Sequence, residues 1–180
     1  MRIAVAGAGR LVVSVLRPLL DSGHEVVAVV QNGRKIKGAR RRLLPLMARF
    51  MGAEQSVLRW AGRIHTPVIW IDRQSEEELA PLRELSPDLL LVAGFSIILR
   101  PPLLELPRLG CVNVHSSLLP NHRGPNPFQA VILAGETESG VTFHGMDAGI
   151  DTGPIIEQTP HPVLEEDTML NVYRRACEVA

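Results

Sequence analysis

Short apolar runs alternate with segments of helical period along most of the chain. "RIAVAG", "HEVVAVV", "PVIWID", "DLLLVAG" and "CVNVH" are continuous apolar stretches bounded by turn residues. They read as strands buried on both faces. "LVVSVLRPLLDSG" repeats its apolar residues at helical spacing and predicts a helix that stops at Gly23, with a kink or an early break at Pro18. A weaker helix is predicted over residues 55–62. "SEEELAPLREL" opens on a capping box, Ser75 with Glu78. "NPFQAVILAG" predicts a helix closed by Gly135, "GVTFHGM" and "GPIIEQTP" two further strands, and "EEDTMLNVYRRACEVA" a last helix. Alternation of this kind predicts an α/β fold: a mostly parallel sheet with helices on both faces, taking ligands at the carboxyl ends of its strands.

Length and composition narrow the class without naming a partner. With 180 residues, 46% of them hydrophobic, the chain is expected to form one domain with a real core. The formal net charge is zero, so bulk charge points to no partner. Cys111 and Cys177 lie far apart in apolar contexts, which suits a reducing cytosol and a cytoplasmic protein. The start lacks a signal-peptide pattern, and the apolar run over residues 89–99 is too short for a membrane span.

Charge is uneven, however. Residues 33–63 hold nine Lys or Arg and one acid, Glu54, so the rest of the chain is net negative by eight. The densest part is "RKIKGARRR", residues 34–42. It reads either as a solvated basic face or as a loop that faces phosphate or RNA. It holds no aromatic residue to stack on a base.

Three segments carry candidate chemistry. "GAGRLV" meets only the first two glycines of a dinucleotide fingerprint. Val12 stands at the third, and Gln31-Asn32 stand where a ribose-binding acid is expected, so a nicotinamide cofactor is disfavoured. Gly9 and Arg10 remain candidates for facing an anion at the helix start. "GCVNVHSSLLPNHRG" ends a buried strand on Asn113 and His115, which share a face at i and i+2. "HGMDAGIDTGP" sets Asp147 and Asp151 among glycines. Taken singly, each has a bland reading, a core histidine or a turn. Together and in this order they point to a site. No Cys/His cluster suggests a metal.

In these segments the sequence resembles the formyltransferases that use 10-formyltetrahydrofolate. "NVHSSLLPNHRG" is similar to the family's Asn-x-His…Ser-Leu-Leu-Pro signature, "DAGIDTGPII" to its aspartate loop, and "LLLVAGFSIIL" to the segment whose backbone receives the pterin ring. The resemblance implies a Rossmann-like formyltransferase fold over residues 1–180. That region is expected to be a single catalytic domain, truncated at its C-terminal end or lacking a C-terminal barrel. The resemblance also implies 10-formyltetrahydrofolate as formyl donor and no metal. Asn113, His115 and Asp151 are the implied catalytic residues, with Asp151 holding His115 protonated or holding a water. Gly94, Phe95, Ser96, Ile97, Ile98, Leu99, Asp147 and Gly149 are expected at the folate. Gly9, Arg10, Arg40, Arg41 and Arg42 are expected at the acceptor. A basic loop after the second strand is similar to that of the methionyl-tRNA branch, which implies tRNA as partner. "GETESGVTFHGM" is similar to the amino-sugar branch, the alternative acceptor class. A non-catalytic folate- or RNA-binding module is the reading from a different class.

Overall fold

A computed structural model describes residues 1–34, 36, 38–51 and 56–180. Lys35 and Lys37 of the basic run, and the expected helix start at Gln55, lie outside the described residues. The chain forms two compact units, Met1–Cys111 and Val112–Ala180.

The first unit is built on four parallel strands. β1 (Arg2–Gly7) leads into α1 (Gly9–Asp21), and β2 (Glu25–Asn32) into α2 (Arg40–Met51) and α3 (Val57–Arg63). β3 (Val68–Ile71), α4 (Glu76–Glu84), β4 (Leu89–Ala93) and α5 (Pro101–Leu104) complete it. β1 pairs with both β2 and β4, and β2 with β3, all parallel. The order β3-β2-β1-β4 puts β1 in the interior, and Ile3, Ala4, Val5 and Ala6 are accordingly buried. This is the Rossmann-like parallel arrangement that continuous apolar strands require.

α1 runs through Pro18 to Asp21, close to the expected stop at Gly23, with Leu11, Val12, Val13, Val15 and Leu16 on its buried face. α2 begins inside the basic run, where a loop was expected. Its Arg, Leu and Met residues are strong helix formers despite Pro45. At α4 the Ser75 side chain accepts from the Glu78 N–H as expected. The Glu78 carboxylate instead accepts from the N–H groups of Asp72, Arg73 and Gln74.

The second unit contains β5 (Cys111–His115) from Val112 onward, α6 (Pro127–Leu133), β6 (Glu138–Gly145), β7 (Ile155–Pro162) and α7 (Met169–Val179). β5 pairs antiparallel with β6, and β6 with β7. A mostly parallel sheet was expected, and these two pairs are antiparallel. The connection between β6 and β7 is a short loop, and a parallel pair needs a longer crossover. Val131, Val163 and Val172 form the core under α6 and α7, with Phe128 edge-on to Tyr173 at 5.2 Å between ring centroids. Among the described residues no helix is long and apolar enough to cross a membrane.

Gly7 closes β1 at φ +148°, and a Cβ there would lie 1.9 Å from the Ala93 carbonyl oxygen. Gly7→Ala is therefore expected to cost at least about 2 kcal/mol in urea unfolding. Gly23→Ala, at φ +73° with open space around it, is expected to cost about 1 kcal/mol.

Candidate functional site

The strand register of the second unit brings the polar residues together. Asn113 on β5 stands directly opposite His144 on β6, and His115 opposite Thr142. Directly opposed residues present their side chains on the same face. An irregularity in the β6–β7 ladder falls between Phe143 and His144, next to these side chains. Irregularities at such places re-aim a side chain.

Asp151 is the centre of the arrangement. Its Oδ1 accepts from Asn113 Nδ2 at 3.2 Å, and its Oδ2 from the Gly124 N–H at 2.8 Å. His115 Nδ1 is 3.4 Å from Oδ2, and His144 Nε2 is 3.5 Å from Oδ1. Asn113 Nδ2 also lies 3.2 Å from His144 Nε2. The two imidazoles meet edge-on, 6.5 Å between centroids. Asp151 itself has φ +50°, an uncommon conformation for a non-glycine residue.

The tautomers follow from the backbone acceptors. His115 Nε2–H donates to the His122 carbonyl at 2.9 Å, and His144 Nδ1–H donates to the Gly145 carbonyl at 2.8 Å. A carbonyl only accepts, so each neutral ring carries its proton on that nitrogen. The lone pair of His115 then faces Asp151, and that of His144 faces the Asn113 amide.

Glycines let the aspartate loop close over the strands. A Cβ on Gly153 would lie 1.9 Å from the Gly145 carbonyl oxygen, and one on Gly149 would lie 2.1 Å from Thr152 Oγ1. Asp147 braces this loop, its Oδ1 accepting from the Gly149 N–H at 2.9 Å and from Thr152 Oγ1 at 2.6 Å. The loop after β5 is held from β6 and β7. Thr142 Oγ1 donates to the Ser117 carbonyl at 2.6 Å, and Gln158 Nε2 to the Leu119 carbonyl at 2.9 Å.

The other candidates lie in the first unit. Gly9 and Arg10 open α1, and the Ala8 N–H just before them donates to the Gly94 carbonyl. Asn32, at the end of β2, donates to Ser96 Oγ at 2.7 Å. The carboxyl ends of β1, β2 and β4 thus gather Gly9, Arg10, Asn32 and residues 94–96 at one edge of this unit. Within the expected folate segment, Gly94, Ser96 and Ile98 are exposed and Phe95 is half-buried. Ile97 and Leu99 turn into the core, so they can only back such a pocket. Gln31 donates to the Gly7 and Val30 carbonyls, so it serves the fold at the position where a dinucleotide site needs an acid.

Arg40 and Arg42 are exposed. Arg41 is not equivalent to them. Its Nε donates to the Ile36 carbonyl at 2.7 Å and its Nη2 to the Gly33 carbonyl at 3.2 Å, so it clamps the segment before α2.

The Formyl transferase family matches the chain over residues 1–180. The chain belongs to this family. It is 38% identical over 175 residues to a methionyl-tRNA formyltransferase from Ectopseudomonas mendocina (strain ymp), covering 97% of this chain and 53% of that protein. It is 36% identical over 179 residues to the enzyme of that name from Pseudomonas fluorescens (strain Pf0-1), covering 99% and 54%. The chain thus spans about half the length of the curated relatives it matches. Among solved structures it resembles glycinamide ribonucleotide transformylase 1 from Symbiobacterium toebii, with a TM-score of 0.76, 28% identity, and 99% and 81% coverage. It also resembles WlaRD, a sugar 3N-formyl transferase in the presence of dTDP and 5-N-formyl-THF, with a TM-score of 0.70 and coverage of 99% and 58%. At 24% identity that second likeness speaks to the fold alone.

The electrostatics separate the two histidines. For Asp151, burial favours the neutral acid. The His144 hydrogen bond, the Gly124 N–H and the charges of both imidazoles outweigh it and hold the carboxyl at about 2. Burial also opposes charge on His144, but there the Asp151 hydrogen bond and the Gly145 carbonyl prevail and its pKa is raised. On His115, 7% exposed, burial prevails over the His122 carbonyl and Asp151, and its pKa is lowered. Burial thus disfavours the imidazolium that Asp151 was expected to sustain on His115. His144 takes the proton first, and its charge then opposes a second one on His115. Sequence reasoning did not single out His144. The available signal was its i+2 spacing from Thr142, but only the register shows that it faces Asn113. Cys111, two residues before Asn113, is no nucleophile: burial pushes its thiol to about 12.

The sign of the pH dependence follows. The Asp151 contribution is fully present above its ordinary 3.8 and is lost as pH falls toward about 2. The His144 contribution is present below 6.5 and lost as pH rises through its raised pKa, whereas that of His115 runs the opposite way. The gap between 3.8 and about 2 on this largely buried carboxylate corresponds to about 2 kcal/mol. Asp151→Asn is expected to lose that amount in urea unfolding at pH 5, with the difference from wild type closing by pH 2. A difference independent of pH over that range would contradict the donor shell described here.

Proposed function

We propose that this chain transfers a formyl group from 10-formyltetrahydrofolate to the amino group of methionyl-tRNA. The observation that carries the reading is the cluster of Asn113, His115 and His144 around Asp151, in a chain that matches the formyl transferase family along its whole length. Identity of 36–38% to methionyl-tRNA formyltransferases favours that acceptor over an amino sugar. Residues 1–180 correspond to the catalytic part of such an enzyme.

10-Formyltetrahydrofolate supplies the formyl group. Residues 94–99 fit the donor as a loop at the carboxyl end of β4 that exposes Gly94 (φ +62°), Ser96 and Ile98, with half-buried Phe95 as further apolar surface. The chain's own residues handle charge and protons. The Asn113 amide is the N–H donor for the oxygen that gains charge as an amine attacks a formyl carbon. When His144 is neutral, its Nε2 holds one Asn113 amide hydrogen. When it is protonated, Nε2–H turns to Asp151 and frees that hydrogen for the reacting oxygen. Neutral His115, with its lone pair beside Asp151, is placed to receive a proton from the attacking amine. As the tetrahedral centre collapses, the bond from the formyl carbon to the folate nitrogen breaks, and that nitrogen takes the proton and leaves as tetrahydrofolate. Asp151 remains ionised throughout and stabilises whichever ring is charged. Arg40 and Arg42 are the exposed cations of the basic segment suited to tRNA phosphate, whereas Arg41 supports the fold.

Formyl-folate turnover with methionyl-tRNA, glycinamide ribonucleotide and a nucleotide-linked amino sugar tests the reading. Transfer to methionyl-tRNA is expected. Transfer only to the sugar would replace the acceptor, and folate or RNA binding without turnover would leave a binding module. Asn113→Ala is expected to lower kcat by about 10²–10³-fold with little change in folate affinity. Arg40→Ala with Arg42→Ala is expected to weaken tRNA binding and flatten its salt dependence. Unchanged tRNA affinity at every salt concentration would remove the basic segment from the interface.

A further inference from the structure

The loop between β5 and α6 supplies two groups to the site, and a residue outside the site holds that loop. His122 contributes the carbonyl that accepts from His115 Nε2–H, and Gly124 contributes the N–H that donates to Asp151 Oδ2. The His122 side chain points elsewhere. Its Nε2–H donates to Glu136 Oε1 at 2.8 Å, beyond the end of α6. Both residues line an open cleft of about 380 Å³ with Leu118, Asn121 and Ser139.

His122 also has φ +53°, in the left-handed region. A side-chain-bearing residue stays there only when its surroundings hold it. Upstream the loop is fastened by Ser117, Thr142 and Gln158, through bonds that end at Asn121. At His122 the fastening is the pair with Glu136. The Glu136 side chain is 37% exposed, and ion pairs that open to water contribute little to stability. What the pair can do is fix the direction of the His122 carbonyl.

We propose that Glu136 is a positioning residue for formyl transfer, acting through His122 to hold the His122 carbonyl against His115 Nε2 and so to select the tautomer that turns the His115 lone pair toward Asp151. The chain of contacts is continuous: Glu136 Oε1 to His122 Nε2, His122 carbonyl to His115 Nε2, and His115 Nδ1 to Asp151 Oδ2 at 3.4 Å. Without the carbonyl, the neutral ring gains by moving its proton to Nδ1 and donating it to the carboxylate. That tautomer has no lone pair beside Asp151 and cannot take a proton there. Glu136 touches none of the reacting groups.

The inference rests on the formyl-transfer reading, but its main test does not need turnover. Long-range ¹H–¹⁵N spectra of the histidine rings at pH 8 report the tautomer of His115 in the wild type, Glu136→Ala, Glu136→Gln and His122→Phe. The wild type is expected to show the Nε2–H form. Glu136→Ala and His122→Phe are expected to lose it in favour of Nδ1–H while the backbone amide spectrum stays folded. Glu136→Gln, whose Oε1 still accepts from His122, is expected to keep it. In the transfer assay, Glu136→Ala is expected to lower kcat by about 10-fold with the KM for formyl-folate unchanged, and Glu136→Gln to restore it. A wild-type tautomer in both folded Glu136→Ala and folded His122→Phe overturns the proposal. A wild type that transfers no formyl group overturns the functional reading instead, since the ring spectra are independent of it.

Discussion

A carboxylate taken largely out of water must be surrounded by donors, and the second unit is organised around meeting that demand for Asp151. Removing an anion from water without hydrogen-bond partners costs far more than a small domain's margin of stability. Here the donors come from three places: a strand through Asn113, its antiparallel neighbour through His144 when that ring is protonated, and a loop through the Gly124 N–H. Each element is therefore held to its neighbours by the charge it helps to solvate. The left-handed backbone of Asp151 and the close approach of Gly153 to the Gly145 carbonyl are the local costs of bringing that carboxylate to the strands.

Two imidazoles beside one carboxylate could have been equivalent, and burial makes them different. His115 sits where desolvation prevails and stays neutral. His144 gains enough from Asp151 and the Gly145 carbonyl to favour its charged form. The two rings beside one carboxylate thus differ in the form each favours, the charged form on His144 and the neutral form on His115. Both tautomers are assigned by backbone carbonyls, groups with no alternative to accepting.

The first unit places its candidates by a separate logic. Four parallel strands end at one edge, and their loops carry the first glycine turn, Asn32 and the exposed Gly94, Ser96 and Ile98. Among the basic residues, the fold divides labour that composition cannot: Arg41 is spent on the Gly33 and Ile36 carbonyls, whereas Arg40 and Arg42 face solvent.

Element type was largely legible because it depends on local pattern. Continuous apolar runs marked β1 to β4, Ser75 with Glu78 marked the start of α4, and the order of Asn113, His115 and Asp151 pointed to the family before any contact was known. α2 was missed because a run of like charge and Pro45 mask residues that favour helix. The antiparallel direction of β6 and β7, the opposition of Asn113 and His144, the division between Arg41 and its neighbours, and the opposite shifts of the two histidines were settled by tertiary structure alone. Strand direction, cross-strand register and desolvation depend on residues distant in the chain, so no local window of sequence contains them.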